Sequence, residues 1–212
     1  MGNVIVRGLL LGAVLLVAGT SVLAEDQSFT KGMDLVGKQS YKEAISMFDE
    51  AIKADAKNSE AYLERALCNF HLGNYAKVIE DCKEVLGHDA AHTISKRQAY
   101  MMTAGAHNAL GQYSEAIATC DKALTLAPKT SLCYSDRAYA HQRLGHLDEA
   151  LKDCNEAIKL DPKHASNYQM RATIYELMAR ADRNKHHDLL TTRKPGAKPY
   201  EASDKTASGD KK

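Results

Sequence analysis

A short phrase recurs four times at almost constant spacing, and it limits the possible folds of this 212-residue chain more than any other feature. The copies begin at Tyr41, Tyr75, Tyr113 and Leu147, so they lie 34, 38 and 34 residues apart. A fixed period of this length indicates stacked repeats, each of which buries its apolar face only against its neighbours. The 34-residue windows cover 25–58, 59–92, 97–130 and 131–164, and four inserted residues precede the third window.

Each window reads as two helices joined by a tight turn. The second half carries apolar residues at helical spacing, as in Ala44, Phe48 and Ala51. The first half does the same around one small residue, which is Gly32, Ala66, Ala104 or Ala138. Gly73, Gly111 and Gly145 stand in three of the turns, where a helix end favours positive φ, but the first window has Lys38-Gln39-Ser40 there. The insertion 93–96 predicts one extra turn at the start of the following helix.

The N-terminal segment 1–24 has the layout of a secretory signal peptide. Arg7 precedes an apolar run, and Val22-Leu23-Ala24 supplies small residues at the cleavage site. The alternative is an uncleaved membrane anchor, although Gly19-Thr20-Ser21 interrupts a run that would need about 20 apolar residues. We therefore expect a periplasmic or secreted protein, or else one that this segment attaches to a membrane.

Charge divides the rest of the chain into an acidic body and a basic tail. The formal net charge is only +1, which argues against a nucleic-acid partner. Residues 25–182 carry 19 basic and 23 acidic side chains, whereas 183–212 carry eight and four. Residues 165–182 repeat the first-half pattern without a second half, which predicts a C-terminal capping helix. The segment 183–212 is polar and aperiodic, and we expect it to be disordered.

No motif indicates catalysis, and the expected cofactor and metal content is none. Nucleophile elbows, P-loops and zinc-protease motifs are absent from the sequence. The pair His186-His187 lacks a second cluster at zinc spacing. Cys82, Cys120 and Cys154 share one core position in their windows, which favours packing over bridging. A Cys68–Cys82 disulfide stays open as an alternative.

These features together resemble the tetratricopeptide repeat family. The likeness covers 25–164 and rests on the period, the small residue of the first helix, the Gly-x-Tyr turn and the Ala-Phe/Cys-Ala triplet of the second helix. Val78 and Val85 depart from the family pattern in the second window. The resemblance implies an all-α, right-handed solenoid of four helix-turn-helix units with a cap, acting as a non-catalytic scaffold or adaptor.

The resemblance also implies a binding surface on the first helices, which line the inner groove in this family. Its strongest candidates are Phe29, Met33, Leu63, Glu64, Leu67, Phe70, Met101, Met102, Asp136, Tyr139, Arg143 and Met170. Further residues on the same faces are Val36, Glu60, Asn108, Leu132, Ser135, Thr173 and Glu176. Methionine adapts to varied apolar partners, so the set favours a protein or peptide ligand with apolar anchors.

Two alternatives limit this hypothesis. Some candidates could pack against neighbouring helices, which would leave the groove only mildly apolar. Some family members clamp a C-terminal carboxylate with Lys, Asn and Arg on their first helices. The matching positions here hold Phe29, Met33, Glu64, Ser166 and Met170, and none supplies a cation or an amide. A membrane partner is expected only if segment 1–24 is not cleaved.

Overall fold

The structure, a computed structural model, describes residues 27–88 and 91–192. It forms two compact units, one ending at Ile174 and the other beginning at Tyr175. The described part is helical, without strands. The first helix, α1, covers 27–37. The others are α2 (Tyr41–Ala54), α3 (Ser59–His71), α4 (Tyr75–Gly87), α5 (Thr93–Ala109), α6 (Tyr113–Leu126), α7 (Ser131–Leu144), α8 (Leu147–Leu160) and α9 (Ala165–Thr191).

The predicted all-α repeat fold is confirmed in the first unit. Helices pair as α1–α2, α3–α4, α5–α6 and α7–α8, one hairpin to each sequence window. Each helix from α2 to α7 contacts the next, and α3, α5 and α7 also contact one another in series. The first helices of successive repeats therefore lie side by side. Helix α5 begins at Thr93 and has 17 residues, so the insertion adds an N-terminal turn as predicted.

The last helix is longer than the sequence pattern indicated. The capping helix was predicted to end at residue 182, but α9 continues to Thr191. Residues 183–191 are all exposed. A helix without a buried face needs no periodic apolar residues, so the sequence pattern gave no sign of it. Residues 183–191 also contain no proline or glycine, and the next helix breaker is Pro195. The start of the predicted disordered tail at residue 183 is therefore wrong.

All four hairpin turns use the same backbone device. Gly73, Gly111 and Gly145 have φ of 76°, 75° and 81°, as the turn motif predicts. In each case the next residue donates its amide to a carbonyl five positions back, as from Asn74 to Asn69 at 2.8 Å. Gln39 takes the same place in the first repeat with φ of 59°, and Ser40 bonds back to Leu35 at 2.9 Å. This Schellman ending stops the first helix and reverses the chain.

The two helices of a repeat approach closely at one pair of positions. The first helix supplies a small residue and the second supplies the central residue of its apolar triplet. A Cβ placed on Gly32 would lie 2.6 Å from the Phe48 ring. Later repeats pair alanine with cysteine at these positions, as in Ala66 and Cys82, both fully buried. In the first repeat the largest second-helix residue, Phe48, therefore packs against the smallest first-helix residue, Gly32.

Two arginines form ion pairs that link the second and fourth repeats to the repeats that precede them. Arg65 bonds Asp81 of its own repeat at 2.6 Å and also Asp49 of the first repeat. Arg137 does the same with Asp153, at 2.7 Å, and Asp121. The third repeat has Thr103 in place of this arginine. Each arginine is three residues after a tyrosine and lies over its ring, 5.4 Å away for Tyr62. The sequence interpretation missed this network, although its Asp-Arg-Asp spacing of 16 residues was visible.

The five cysteines are buried and have free thiols. Cys82, Cys120 and Cys154 occupy the core positions expected of them. Burial raises the pKa of Cys82 to about 12 and that of Cys68 to about 11. These thiols act as small apolar side chains at neutral pH.

Two predicted segments lie outside the described residues. They are the signal segment 1–24 and the tail beyond residue 192. Within the described ranges, no helix combines the length and apolar character needed to cross a membrane.

The pairing of Gly32 with Phe48 predicts a change of sign in a double-mutant cycle. In the natural background we expect Gly32→Ala to lower the free energy of unfolding by about 1–2 kcal/mol, because the buried ring cannot yield. In a Phe48→Cys background the same change should raise it, since it fills space and favours the helix. Urea unfolding of the four proteins measures both steps. Gly37→Ala, with nothing near its Cβ position, is the control in the same helix. A loss of equal size in both backgrounds would contradict the pairing.

The strained turn of the first repeat predicts a stabilising substitution. Gln39→Gly should raise the free energy of unfolding by about 0.5–1 kcal/mol, because glycine adopts positive φ without a steric cost. Gly73→Gln should lower it in the second repeat, where open space leaves backbone strain as the cause. Thermal unfolding of both variants tests this prediction, and destabilisation by Gln39→Gly would refute it.

Candidate functional site

A single cavity runs across the first helices of the four repeats. It measures about 730 Å³ and opens between α1, α3, α5 and α7. We call it the groove, and the residues that line it are Phe29, Met33, Glu60, Leu63, Glu64, Leu67, Phe70, Gln98, Met101, Met102, Gly105, Leu132 and Asp136. Methionine, leucine and phenylalanine make up most of this lining. The contacts of α3 with α5 and of α5 with α7 make the groove continuous.

The lining follows from the repeat register. Residues 34 or 38 positions apart occupy equivalent places on successive first helices, so they form rows across the groove. One row contains Glu64, Met102 and Asp136, and another contains Glu60, Gln98 and Leu132. A helical face that points into the groove in one repeat therefore does so in the next. The repeat turns a helical pattern into a surface.

The structure brings most of the predicted site residues together. Nine of the twelve strongest candidates line the groove, and Tyr139, Arg143 and Met170 do not. Arg143 donates to the Tyr139 hydroxyl at 2.7 Å and lies 4.9 Å from the centre of the Tyr113 ring. The side chains of Arg143, Tyr139 and Tyr113 therefore contact one another and do not line the groove. Met170 is partly buried near the start of α9.

Two lining residues were not among the sequence candidates. Gln98 is equivalent to Glu60, so the repeat register alone could have identified it. Gly105 is equivalent to Met33 and Leu67, and its missing side chain leaves room beside Phe70. A Cβ at Gly105 would lie 3.3 Å from that ring. Gly105 contributes space and no side chain, so its sequence position carries no apolar or polar signal that would mark it as part of the lining.

The charge of the groove is one-sided. Its lining includes the carboxylates of Glu60, Glu64 and Asp136 but no lysine, arginine or histidine. Burial raises the pKa of Asp136 to about 7. Burial, followed by repulsion from Glu60, also raises the pKa of Glu64. Both shifts show that desolvation of these carboxylates is not offset by a nearby cation.

The arginines next to these acids point elsewhere. Arg65 and Arg137 follow Glu64 and Asp136 in the chain, but their guanidinium groups bond the aspartates of the second helices. Among the described residues, the side chains of Glu64 and Asp136 have no hydrogen-bond or ion-pair partner. The amide of Asn108 donates to the backbone carbonyl of Asp136 at 2.9 Å, which fixes the main chain but leaves the carboxylate free.

The described residues offer no arrangement suited to metal binding. No group of three or more His, Cys, Asp or Glu side chains comes together in residues 27–88 and 91–192. A second cavity of about 440 Å³ lies at the ends of the repeat 2 helices and is lined by more polar residues, including Ser59 and His88. Those two side chains bond each other at 3.0 Å. The apolar groove is therefore the candidate site.

Known proteins share both the repeats and the fold. Tetratricopeptide repeat family models match residues 29–93, 98–130 and 131–164. The TPR repeat-containing protein YsoA of Bacillus subtilis is 31% identical over 77 residues, which is 36% of this chain and 23% of YsoA. The chain spans about a quarter or less of the length of the curated relatives it matches.

Solved structures show the fold more completely. A crystal structure of MamA protein has a TM-score of 0.66 at 21% identity, covering 76% of this chain and 85% of MamA. The structure of YrrB, described as a TPR protein with an unusual peptide-binding site, has a TM-score of 0.59 at 17% identity. That match covers 72% of this chain and 76% of YrrB. By its repeats and its fold, this chain belongs to the tetratricopeptide repeat family.

Proposed function

We propose that the protein is a non-catalytic scaffold that binds a peptide segment of another protein in the groove. One observation carries the proposal: four successive first helices contribute to one continuous apolar cavity of about 730 Å³. A concave, apolar site with a few polar groups is the usual form of a ligand site, and a cavity of this volume holds several side chains at once. The helices supply this shape before any partner arrives.

The residues of the lining suit an extended partner more than a single small molecule. Met101 and Met102 are consecutive residues of α5, the third of the four first helices, and both are partly buried. Methionine is flexible and polarisable, so it can repack around different apolar side chains. Phe70 supplies a firm wall, because its ring packs edge-on against Tyr75 at 5.3 Å. Flexible methionines beside a fixed phenylalanine ring favour a partner peptide that inserts apolar side chains into the groove.

The family likeness supports the same proposal. Proteins of this family serve as protein-interaction scaffolds, and the description of YrrB includes a peptide-binding site. We carry only the mode of binding over to this chain, since the sequences are 17% identical. The proposed non-catalytic role is supported by the sequence, which contains no nucleophile motif, and by the lining of the groove, which contains no cysteine, histidine, serine or threonine.

Peptide binding in the groove predicts a loss on charge insertion. Wild-type protein should enrich members of a displayed library of short random peptides, and the enriched peptides should bind Met101→Glu/Met102→Glu at least about tenfold more weakly. The physical reason is that two carboxylates at partly buried positions would replace apolar contacts. Fluorescence anisotropy with the synthetic peptides measures the affinities.

Ile94→Glu/Leu126→Glu serves as the matched control. It adds the same charges at exposed apolar positions that do not line the groove. Equal affinity of the enriched peptides for wild type and for Met101→Glu/Met102→Glu would refute binding in the groove.

We also propose that the protein acts outside the cytosol, with a membrane-anchored assembly subunit as the alternative. The basis is the Arg7 and apolar-run pattern of residues 1–24. N-terminal sequencing of protein expressed with the full chain separates the two. A mature start at Glu25 supports export, and a retained Met1 supports the anchor.

A further inference from the structure

One row of the groove alternates acid, methionine and acid. Glu64 on α3, Met102 on α5 and Asp136 on α7 occupy equivalent positions in successive repeats. The two acids therefore face the same space, with one repeat between them. The lining that surrounds them is mostly Met, Leu and Phe and contains no basic residue. The row therefore presents two separated carboxyl groups among apolar side chains.

These carboxylates lack the partners that other acids of the fold have. Asp81 and Asp153 bond Arg65 and Arg137, whereas Glu64 and Asp136 have no side-chain partner within the described ranges. A partly buried carboxylate without a cation costs free energy in the folded chain. The raised pKa of Asp136, about 7, reports this cost. A cation from outside the chain would remove it.

We propose that the groove recognises an extended peptide segment with a lysine or arginine on each side of an apolar stretch. The basic side chains pair with Glu64 and Asp136, and the apolar stretch lies over Met101 and Met102. This inference rests on the proposed function and adds the chemistry of the partner. An anionic partner would meet three carboxylates and no cation in the lining, so charge complementarity selects a basic one.

Helix packing sets the spacing of the two basic residues. The axes of packed helices lie about 8–10 Å apart, so α3 and α7 are about 16–20 Å apart with α5 between them. An extended chain advances about 3.3 Å per residue and covers that distance in about five or six residues. A helix would need about eleven or more, since it rises 1.5 Å per residue.

The experiment compares displayed-peptide selections on three proteins. They are wild type, Glu64→Gln/Asp136→Asn, and the control Glu84→Gln/Glu115→Gln, which neutralises two exposed acids on the second helices. Only clones that the uncharged variant Met101→Asn/Met102→Asn fails to retain are counted as groove ligands, because added acids would themselves attract a basic peptide. We expect wild type and the control to enrich pairs of Lys or Arg about five or six residues apart around an apolar stretch. The Glu64→Gln/Asp136→Asn protein should return these pairs to their frequency in the unselected library.

The outcomes separate the two proposals. Groove ligands without an excess of basic residues would overturn this inference and leave the proposed function standing. Basic pairs spaced by eleven or more residues would overturn the extended form. An excess of basic residues that persists on Glu64→Gln/Asp136→Asn would overturn the roles of these two acids. A selection that gives no groove ligands would overturn the proposed function and this inference with it.

A pH series on one synthetic lysine-bearing ligand gives an independent readout. The ligand needs the ionised form of Asp136, whose population rises between pH 6 and pH 8, so affinity should increase about tenfold over that range. The neighbouring titratable groups are Cys120 of α6 and Cys133 of α7, and burial raises the pKa of both thiols, so they stay neutral. Arg137 stays charged and bound to Asp153, and α5 contributes the amide of Asn108. Asp136→Asn should abolish the increase, and an unchanged pH profile would refute the pairing.

Discussion

The close approach of two helices at one point in each repeat is the contact on which the rest of the fold depends. A residue without a side chain, or with a single methyl group, allows the second helix to pack directly against the first. Gly32 with Phe48, and Ala66 with Cys82, solve the same packing problem with different volumes. Because every hairpin closes at this point, successive hairpins can stack in one register. The Schellman turns then fix where each hairpin reverses.

The constant register of the repeats places equivalent residues of successive first helices side by side, and these residues form the proposed recognition surface. The second helices hold the apolar triplets and the aspartates that bind Arg65 and Arg137, so the first helices are free to present other side chains. Equivalent positions on α3, α5 and α7 then form rows. The same arginines that fasten the repeats together are unavailable to Glu64 and Asp136. Because Arg65 and Arg137 bond aspartates of the second helices, the groove acids next to them in the chain stay unpaired among the described residues.

The sequence predicted the periodic parts of this structure well, because the period itself carries the information. The hairpin turns, the longer α5 and the burial of Cys82, Cys120 and Cys154 all follow from spacing. The end of α9 could not be predicted in this way, since residues 183–191 are exposed and have no apolar pattern. Gly105 was missed because it contributes space. The raised pKa of Asp136 results from burial by residues distant in sequence, so it could not be predicted from a local sequence pattern.

The buried thiols give the solenoid a means of reporting its own local opening. Cys68 packs with Ala44 and Phe48 of the first repeat, whereas Cys82, Cys120 and Cys154 lie in the second, third and fourth. A thiol with a raised pKa and no access to solvent reacts with an alkylating reagent only when its surroundings open. Neighbour-only contacts allow each repeat to open with its own free energy. The rates at which these four cysteines are alkylated would therefore map stability along the chain, repeat by repeat.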